Sequence, residues 1–195
     1  MFRFLKVSTV IVVLGVVFGG LAAADVAKVE KKDPRSARPA ELDQMSKAMT
    51  GTWTCTGQGL GRDMKLGEMV ATSRWSVDVG GWWLRESFDA TVGKETPHIY
   101  EAFTTFDPMS KKWKRVMVTG GGGWNTGEAT ATSCAPAPNG CKLDWELSAH
   151  TPRGDFLVKD HVDATDLKAG IKDWGELSRD SGKTWMKAYE LTCKR

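Results

Sequence analysis

The chain has 195 residues and carries 27 Lys and Arg against 24 Asp and Glu, a formal net charge of +3. This length is typical of one domain with a substantial hydrophobic core. The small net charge leaves no basic patch, which argues against a nucleic-acid-binding protein, so we expect no nucleic-acid partner.

Residues 1–24 are predicted to be a signal peptide. A positively charged start is followed by the apolar run Val7–Phe18, which is too short to span a bilayer. Ala22–Ala24 supplies the small residues that a signal peptidase needs, and Asp25 would begin the mature chain. No second apolar stretch approaches membrane-spanning length. We therefore expect a periplasmic or secreted protein with no stable membrane insertion after cleavage; the alternative is an uncleaved N-terminal anchor.

The character of the chain changes at residue 39. Residues 25–38 are rich in charged side chains, which predicts a flexible leader. From residue 39 to residue 49, Leu42, Met45 and Met49 recur at helical spacing and predict a short amphipathic helix. The folded domain is predicted to span residues 39–195.

The rest of the chain is predicted to be all-β. Apolar and polar residues alternate with a period of two, and turn signals interrupt the pattern about every ten residues. The clearest strand starts at Cys141, where Leu143, Trp145, Leu147 and Ala149 alternate with polar residues. About ten consecutive strands with short links predict an up-and-down antiparallel barrel, because closure removes exposed strand edges. No βαβ alternation occurs, so a doubly wound fold or an α/β barrel is not expected.

Export makes the four cysteines candidates for disulfides. Cys134 and Cys141 flank a turn-rich loop and are easily joined, which leaves Cys55 and Cys193. A bridge between these two would make the first and last strands neighbours, as in a closed barrel. Four cysteines allow three connectivities. A zinc site is the alternative, although the spacing matches no common zinc pattern.

Two predicted turns carry distinct signals. Ser178–Trp185 reads S-x-D-x-G-x-T-W, which predicts a tight hairpin with Gly182 at positive φ. The pattern resembles the Asp-box of sialidase propellers, but a single copy indicates a hairpin and not a glycosidase. Gly120–Gly123 predicts a mobile loop or an open rim, because four glycines cost much entropy to order. A plain connection and a functional loop are both compatible with it.

Gly51-Thr52-Trp53 begins the first predicted strand and resembles the G-x-W signature of lipocalins and the wider calycins. In that superfamily the Trp plugs the closed end of the barrel, and the resemblance implies that Lys194 or Arg195 packs over Trp53. The run from about Leu42 onward resembles an uncharacterised bacterial family of secreted calycin-like proteins, a domain-of-unknown-function family. This resemblance implies a lipocalin-like barrel but no established activity. The further residues that carry it are Gly80–Trp83, the Phe106-Asp107-Pro108 turn with Trp113, and Gly182–Trp185 with Glu190.

Nitrobindin-like haem barrels are also similar, with a G-x-W near the start and ten strands, and they ligate haem through a late histidine. The nearest match is His161, but its neighbours Asp160 and Val162 are expected to face inward in its place. We therefore expect no cofactor, and haem binding stays a minor alternative. The three histidines show no metal-ligand spacing, so no metal site is expected.

Large aromatic rings fall on the apolar faces of the predicted strands. The chain has nine tryptophans, and Trp53, Trp75, Trp145 and Trp185 are expected inside the barrel. Core packing is one interpretation, and an aromatic-lined ligand cavity is the other. Both can hold at once, because barrels of this size can keep a ligand cavity.

A few polar residues also fall on those apolar faces. Glu86, Asp160 and Asp173 share faces with apolar neighbours, and so does Arg115. If they point inward, Arg115 and one carboxylate could fix the polar end of a ligand, since buried charges need partners. The alternative is that bulges shift the inward and outward positions for some of them.

The first hypothesis is a lipocalin-like protein that binds a small, largely apolar ligand in the barrel. The second is a cofactor-free isomerase or cyclase, for which Glu86 with His98 is the pair to examine. The third is a non-catalytic interaction platform. No catalytic residue is assigned, and the oligomeric state stays open. The predicted ligand-binding residues are Trp75, Glu86, His98, Tyr100, Arg115, Trp145 and Tyr189.

Overall fold

The computed structural model describes residues 37–95 and 97–195. The predicted signal peptide, residues 1–24, lies outside the described residues, and so does the predicted leader up to residue 36. Both stay predictions. Within the described ranges, no helix combines the length and the apolar character that crossing a membrane requires.

One helix precedes ten strands. The strands are all antiparallel and each pairs with the next along the chain, while the last pairs with the first, so the sheet closes into a barrel. The predicted all-β, up-and-down calycin-like (lipocalin-like) barrel of about ten strands is confirmed. The elements are α1 Ala40–Met49, β1 Gly51–Leu60, β2 Leu66–Asp78, β3 Trp83–Val92, β4 His98–Asp107, β5 Lys112–Thr119, β6 Trp124–Cys134, β7 Cys141–Thr151, β8 Gly154–Asp163, β9 Ile171–Ser178 and β10 Met186–Lys194.

The seam between β1 and β10 carries a covalent bond. Cys55 lies directly opposite Cys193 in the strand register, and the two form a disulfide. Cys134 and Cys141 form the second disulfide across the loop between β6 and β7. Both predicted pairings are confirmed, and the first explains why the sheet has no free edge at its two chain ends.

The helix closes one end of the barrel. Leu42, Met45 and Met49 are buried on the face that covers the opening. The indole Nε1 of Trp53 donates a hydrogen bond to the backbone carbonyl of Met49 at 2.7 Å. The guanidinium of Arg195 lies 4.4 Å from the ring centre of Trp53 and donates to carbonyls at the end of the helix. Arg195 is therefore the basic residue that covers Trp53.

The opposite rim is formed by the hairpin turns that point away from the helix. Gly120–Gly123 makes the turn between β5 and β6 there, held by a hydrogen bond from the Thr119 amide to the Gly123 carbonyl at 2.8 Å. The Ser178–Trp185 hairpin is also at this rim, and Asp180 accepts bonds from the amide and the hydroxyl of Thr184. The predicted tight hairpin is confirmed, with Gly182 at φ +88°.

Two local features differ from what the sequence pattern suggests. The Gly80-Gly81 pair is typical of a two-residue hairpin turn, but β2 ends at Asp78 and a 3₁₀ turn over Val79–Gly81 precedes β3. Trp185 does not fill the barrel, since its ring lies 4.3 Å from the ammonium of Lys159, outside the barrel. A β-bulge between Lys187 and Tyr189 shifts the alternation of inward and outward residues in β10 by one position. A prediction from strict alternation therefore places Trp185 on the wrong face.

The disulfide at the seam is expected to stabilise the fold more than the disulfide in the loop. The first joins residues 138 apart and the second joins residues 7 apart. Loop-closure entropy then predicts a loss of about 5 kcal/mol for Cys55→Ala with Cys193→Ala, and about 2.5 kcal/mol for Cys134→Ala with Cys141→Ala. Guanidinium unfolding of the two double variants measures both losses, and equal losses would contradict the prediction.

Candidate functional site

A cavity of about 270 Å³ occupies the interior of the barrel. It extends from Met49 and Trp53 at the helix end to His98 and Gly123 at the opposite rim. Side chains from all ten strands reach it, because every second residue of a barrel strand points inward. Most of the wall is apolar and includes Met69, Trp75, Phe88, Met117, Leu147, Phe156, Val158, Leu177 and Leu191.

Three carboxyls and one guanidinium interrupt this apolar wall, and we call them the cavity cluster: Glu86 on β3, Arg115 on β5, Asp160 on β8 and Asp173 on β9. Glu86, Arg115 and Asp160 are each at most 5 % exposed. These three side chains face inward, as the sequence indicates, because the residues two positions before and after each of them are apolar and also face inward. Burial at this depth requires each charge to find a partner or to lose its charge.

Asp160 is the most fully bonded member of the cavity cluster. Its Oδ2 lies 2.5 Å from Nη1 of Arg115, and its Oδ1 accepts a hydrogen bond from the hydroxyl of Tyr189 at 2.5 Å. The guanidinium of Arg115 also lies 4.2 Å from the ring centre of Trp145. Asp160 and Arg115 therefore form a supported buried ion pair, with Trp145 beneath it.

A glycine makes room for the Tyr189 contact. Gly175 lies opposite both Asp160 and Tyr189 in the strand register. A Cβ added at Gly175 would lie 2.6–2.8 Å from ring and hydroxyl atoms of Tyr189, which is too close for any side chain. The Tyr189 ring therefore lies against the bare backbone of β9, and from there its hydroxyl reaches Asp160.

The other two carboxyls of the cavity cluster hold protons more tightly than usual. Burial raises the pKa of Glu86 to about 7, although Arg115 and a 2.7 Å hydrogen bond from the Ser73 hydroxyl oppose that rise. Burial also raises the pKa of Asp173 well above its ordinary value, and the carboxylates of Asp160 and Glu86 raise it further. Both carboxyls therefore favour the neutral form more than they would in water, and Glu86 is close to half ionised at pH 7.

Two tyrosines complete the polar part of the site. Burial raises the pKa of both Tyr100 and Tyr189 well above the ordinary value, and nearby carboxylates add to the effect. Both hydroxyls therefore stay protonated at neutral pH, and the Tyr189 hydroxyl already donates to Asp160. The Tyr100 ring stacks on Phe88 with ring centres 4.6 Å apart.

The structure brings six of the seven predicted ligand-binding residues to the cavity wall: Trp75, Glu86, His98, Tyr100, Arg115 and Tyr189. Trp145, the seventh, does not line the cavity, because it is 1 % exposed and packs beneath Arg115. His98 lies at the rim, where it pairs with Ala90, whereas Glu86 pairs with Ala102 four residues further along β4. Glu86 and His98 are therefore not brought together as an acid–base pair.

Ser73 and Asn125 also line the cavity, and sequence reasoning missed them. Ser73 lies between the inward residues Ala71 and Trp75, so alternation alone would have found it. Asn125 gave no such signal, because β6 begins only at Trp124 and the residues two positions from Asn125 are Gly123 and Gly127. His161 lies outside the barrel as expected, stacked on a tryptophan and bonded to a carboxylate.

Three buried polar atoms of cavity-lining residues have no hydrogen-bond partner among the described residues: Nε of Arg115, Oδ1 of Asn125 and Oδ1 of Asp173. Such atoms carry a desolvation penalty unless something bonds to them. In the described part of the chain, no three His, Cys, Asp or Glu side chains are grouped so that they could hold a metal ion.

The barrel is similar to a known crystal structure, that of Rv2717c from M. tuberculosis, with a TM-score of 0.58. The two chains are 13 % identical, and the match covers 82 % of this chain and 99 % of that one. At this identity the likeness shows the fold alone. Neither a protein-family model nor a curated protein sequence matches this chain.

The raised pKa of Glu86 predicts a characteristic pH dependence of stability. Between about pH 4.5 and about pH 7 the unfolded chain releases this proton while the folded protein keeps it, so stability falls as pH rises. We expect the free energy of unfolding of the wild type, relative to that of Glu86→Gln, to fall by on the order of 3 kcal/mol across this window. Above about pH 7 the difference between the two proteins should no longer change with pH. Denaturant unfolding at several pH values measures the difference.

Glu146→Gln is the matched control for this measurement, because Glu146 lies exposed on the outer face of β7. The difference in free energy of unfolding between Glu146→Gln and the wild type should not change with pH between the same limits. A flat difference for Glu86→Gln as well would contradict the assignment of a neutral-range pKa to Glu86.

Proposed function

We propose that this protein is a secreted or periplasmic lipocalin-like binding protein, a member of the calycin-like family it resembles, that holds a small, largely apolar ligand in its barrel. Trp75, Tyr100 and Tyr189 would contact the ligand body, and Glu86 or Arg115 would orient its polar end. His98 would lie at the mouth of the cavity, and Trp145 would support Arg115 from below.

The cavity is the observation that carries this proposal. Protein interiors pack as tightly as organic crystals, so an interior space of about 270 Å³ is unusual in a barrel that side chains could fill. Its mainly apolar wall with a few convergent polar groups is typical of small-molecule sites. The volume is close to the lower end of the usual range for such pockets, which favours a small ligand.

The cysteines support the proposed compartment. All four are paired in two disulfides, and such bonds persist in oxidising environments such as a periplasm or the extracellular space.

A cofactor-free enzyme is the second candidate, and one observation favours it. Glu86 has a pKa of about 7 and lies in an apolar cavity together with Tyr100. A carboxyl with a pKa near the working pH is suited to moving a proton to and from a bound substrate. In this alternative Glu86 takes the acid–base role without His98.

Native mass spectrometry of the mature protein, purified from its own host, tests the binding function. We expect a mass excess over the denatured chain that disappears on denaturation. Ala149→Phe should remove the excess, because Ala149 lines the cavity and the larger ring would occupy its space.

Ser148→Phe is the matched control, since Ser148 is the exposed neighbour on the outer face of β7. It should keep the mass excess. No excess in the wild type, or an equal excess in both variants, would overturn the proposal of a ligand inside the barrel.

A further inference from the structure

We propose that the polar end of the ligand is a protonated amine, with Glu86 as its counter-ion and the aromatic rings beside Glu86 around its ammonium group. This inference rests on the proposed ligand-binding function and names the chemical class of ligand that the cavity accepts.

The charges of the cavity cluster are the first argument. Among the described residues that line the cavity, three carboxyls face one guanidinium, and no lysine is present. That guanidinium is already bound to Asp160, which also accepts the hydroxyl of Tyr189. A carboxylate ligand would have to displace this pair and would then face Glu86 and Asp173. A cation would instead balance the charge of Glu86 when that carboxyl is ionised.

The unpaired polar atoms are the second argument. Oδ1 of Asn125 and Oδ1 of Asp173 have no hydrogen-bond partner within residues 37–95 and 97–195, and Asn125 is only 8 % exposed. Both are oxygens that can accept a hydrogen bond, and an ammonium group offers up to three donors. The third unpaired atom, Nε of Arg115, is a donor and contributes nothing toward an ammonium group.

The aromatic rings around Glu86 are the third argument. Trp75 lies opposite Glu86 in the register of β2 and β3, and the stacked rings of Phe88 and Tyr100 lie two residues further along. The faces of such rings attract cations, and most strongly where water is excluded. Glu86 thus provides the negative charge within an aromatic wall, which is a favourable setting for an ammonium group with an apolar body.

Binding of a cation here is expected to be coupled to a proton. The groups that face Glu86 are Tyr100 from β4, Arg115 from β5, Asp160 from β8 and Asp173 from β9. With these neighbours its pKa is about 7, so at lower pH a bound ammonium must replace the proton on Glu86. Affinity for the amine should therefore rise by up to about tenfold for each pH unit until about pH 7, and then level off.

Three probes of the same size and different charge test the inference: 2-phenylethylammonium, 2-phenylethanol and phenylacetate. Isothermal titration calorimetry at about pH 8, where an alkylamine is still protonated, should show the amine binding at least about tenfold more tightly than the alcohol. Phenylacetate should bind most weakly. The amine should lose affinity below about pH 7 and release a proton to the buffer, and the alcohol should do neither.

Glu86→Gln should remove the preference for the amine and its pH dependence while keeping the affinity for the alcohol. Glu146→Gln, on the outer face of β7, should keep both properties. If Glu86→Gln fails to fold, Ser73→Ala decides, because losing the Ser73 hydrogen bond to Glu86 should move the midpoint of the pH dependence to higher pH. An unchanged midpoint would overturn the role of Glu86.

The outcomes separate this inference from the function on which it rests. If the alcohol or phenylacetate binds as tightly as the amine, the binding barrel stands and the amine class is wrong. If none of the three probes binds while the purified protein still shows its own mass excess, the amine inference alone is overturned. If no probe binds and there is no mass excess, both proposals fall.

Discussion

The pairing of β1 with β10 is the contact on which the rest of the structure depends. The Cys55–Cys193 disulfide joins these strands, and Gly57 lets them approach so closely that a Cβ there would lie 2.0 Å from the Glu190 carbonyl oxygen. Closure converts one face of the sheet into an interior that is shielded from bulk solvent. The pKa values of Glu86 and Asp173 rise mainly because this interior is closed, since burial is the largest cause of both shifts. An open sheet of the same strands would leave these groups as ordinary solvated carboxyls.

The ion pair between Arg115 and Asp160 is poorly explained by stability alone. Replacing a buried ion pair with apolar residues of similar volume is often neutral or stabilising, because removing two charges from water is costly. The barrel nevertheless keeps this pair and adds Glu86 and Asp173 beside it. Trp145 and Tyr189 are arranged to support the pair. A costly group that its neighbours hold in a fixed geometry, at the wall of a cavity, is what the proposed ligand-binding function would require.

Alternation along the strands was enough to predict the barrel and most of the site. Glu86 and Arg115 face inward because they occupy positions of the same parity as their apolar neighbours, and a regular strand keeps that parity. The prediction failed for Trp185, where a β-bulge changes the parity, and for Asn125, where the strand begins earlier than its apolar pattern. Trp145 shows a third limit, because parity gives the inward direction but not whether another side chain covers the ring.

Glu86 links the stability of the barrel to its occupancy. Below about pH 7 the folded protein keeps Glu86 neutral, and above it an ionised carboxylate must remain among apolar walls with Arg115 as its nearest compensating charge. A bound cation would compensate the same carboxylate, so it would stabilise the fold most at the pH where the unliganded protein is least stable. A neutral ligand of the same shape would add only contact with the walls, equally at every pH. The residue that costs the unliganded barrel stability would therefore be the one by which the barrel distinguishes the proposed ligand.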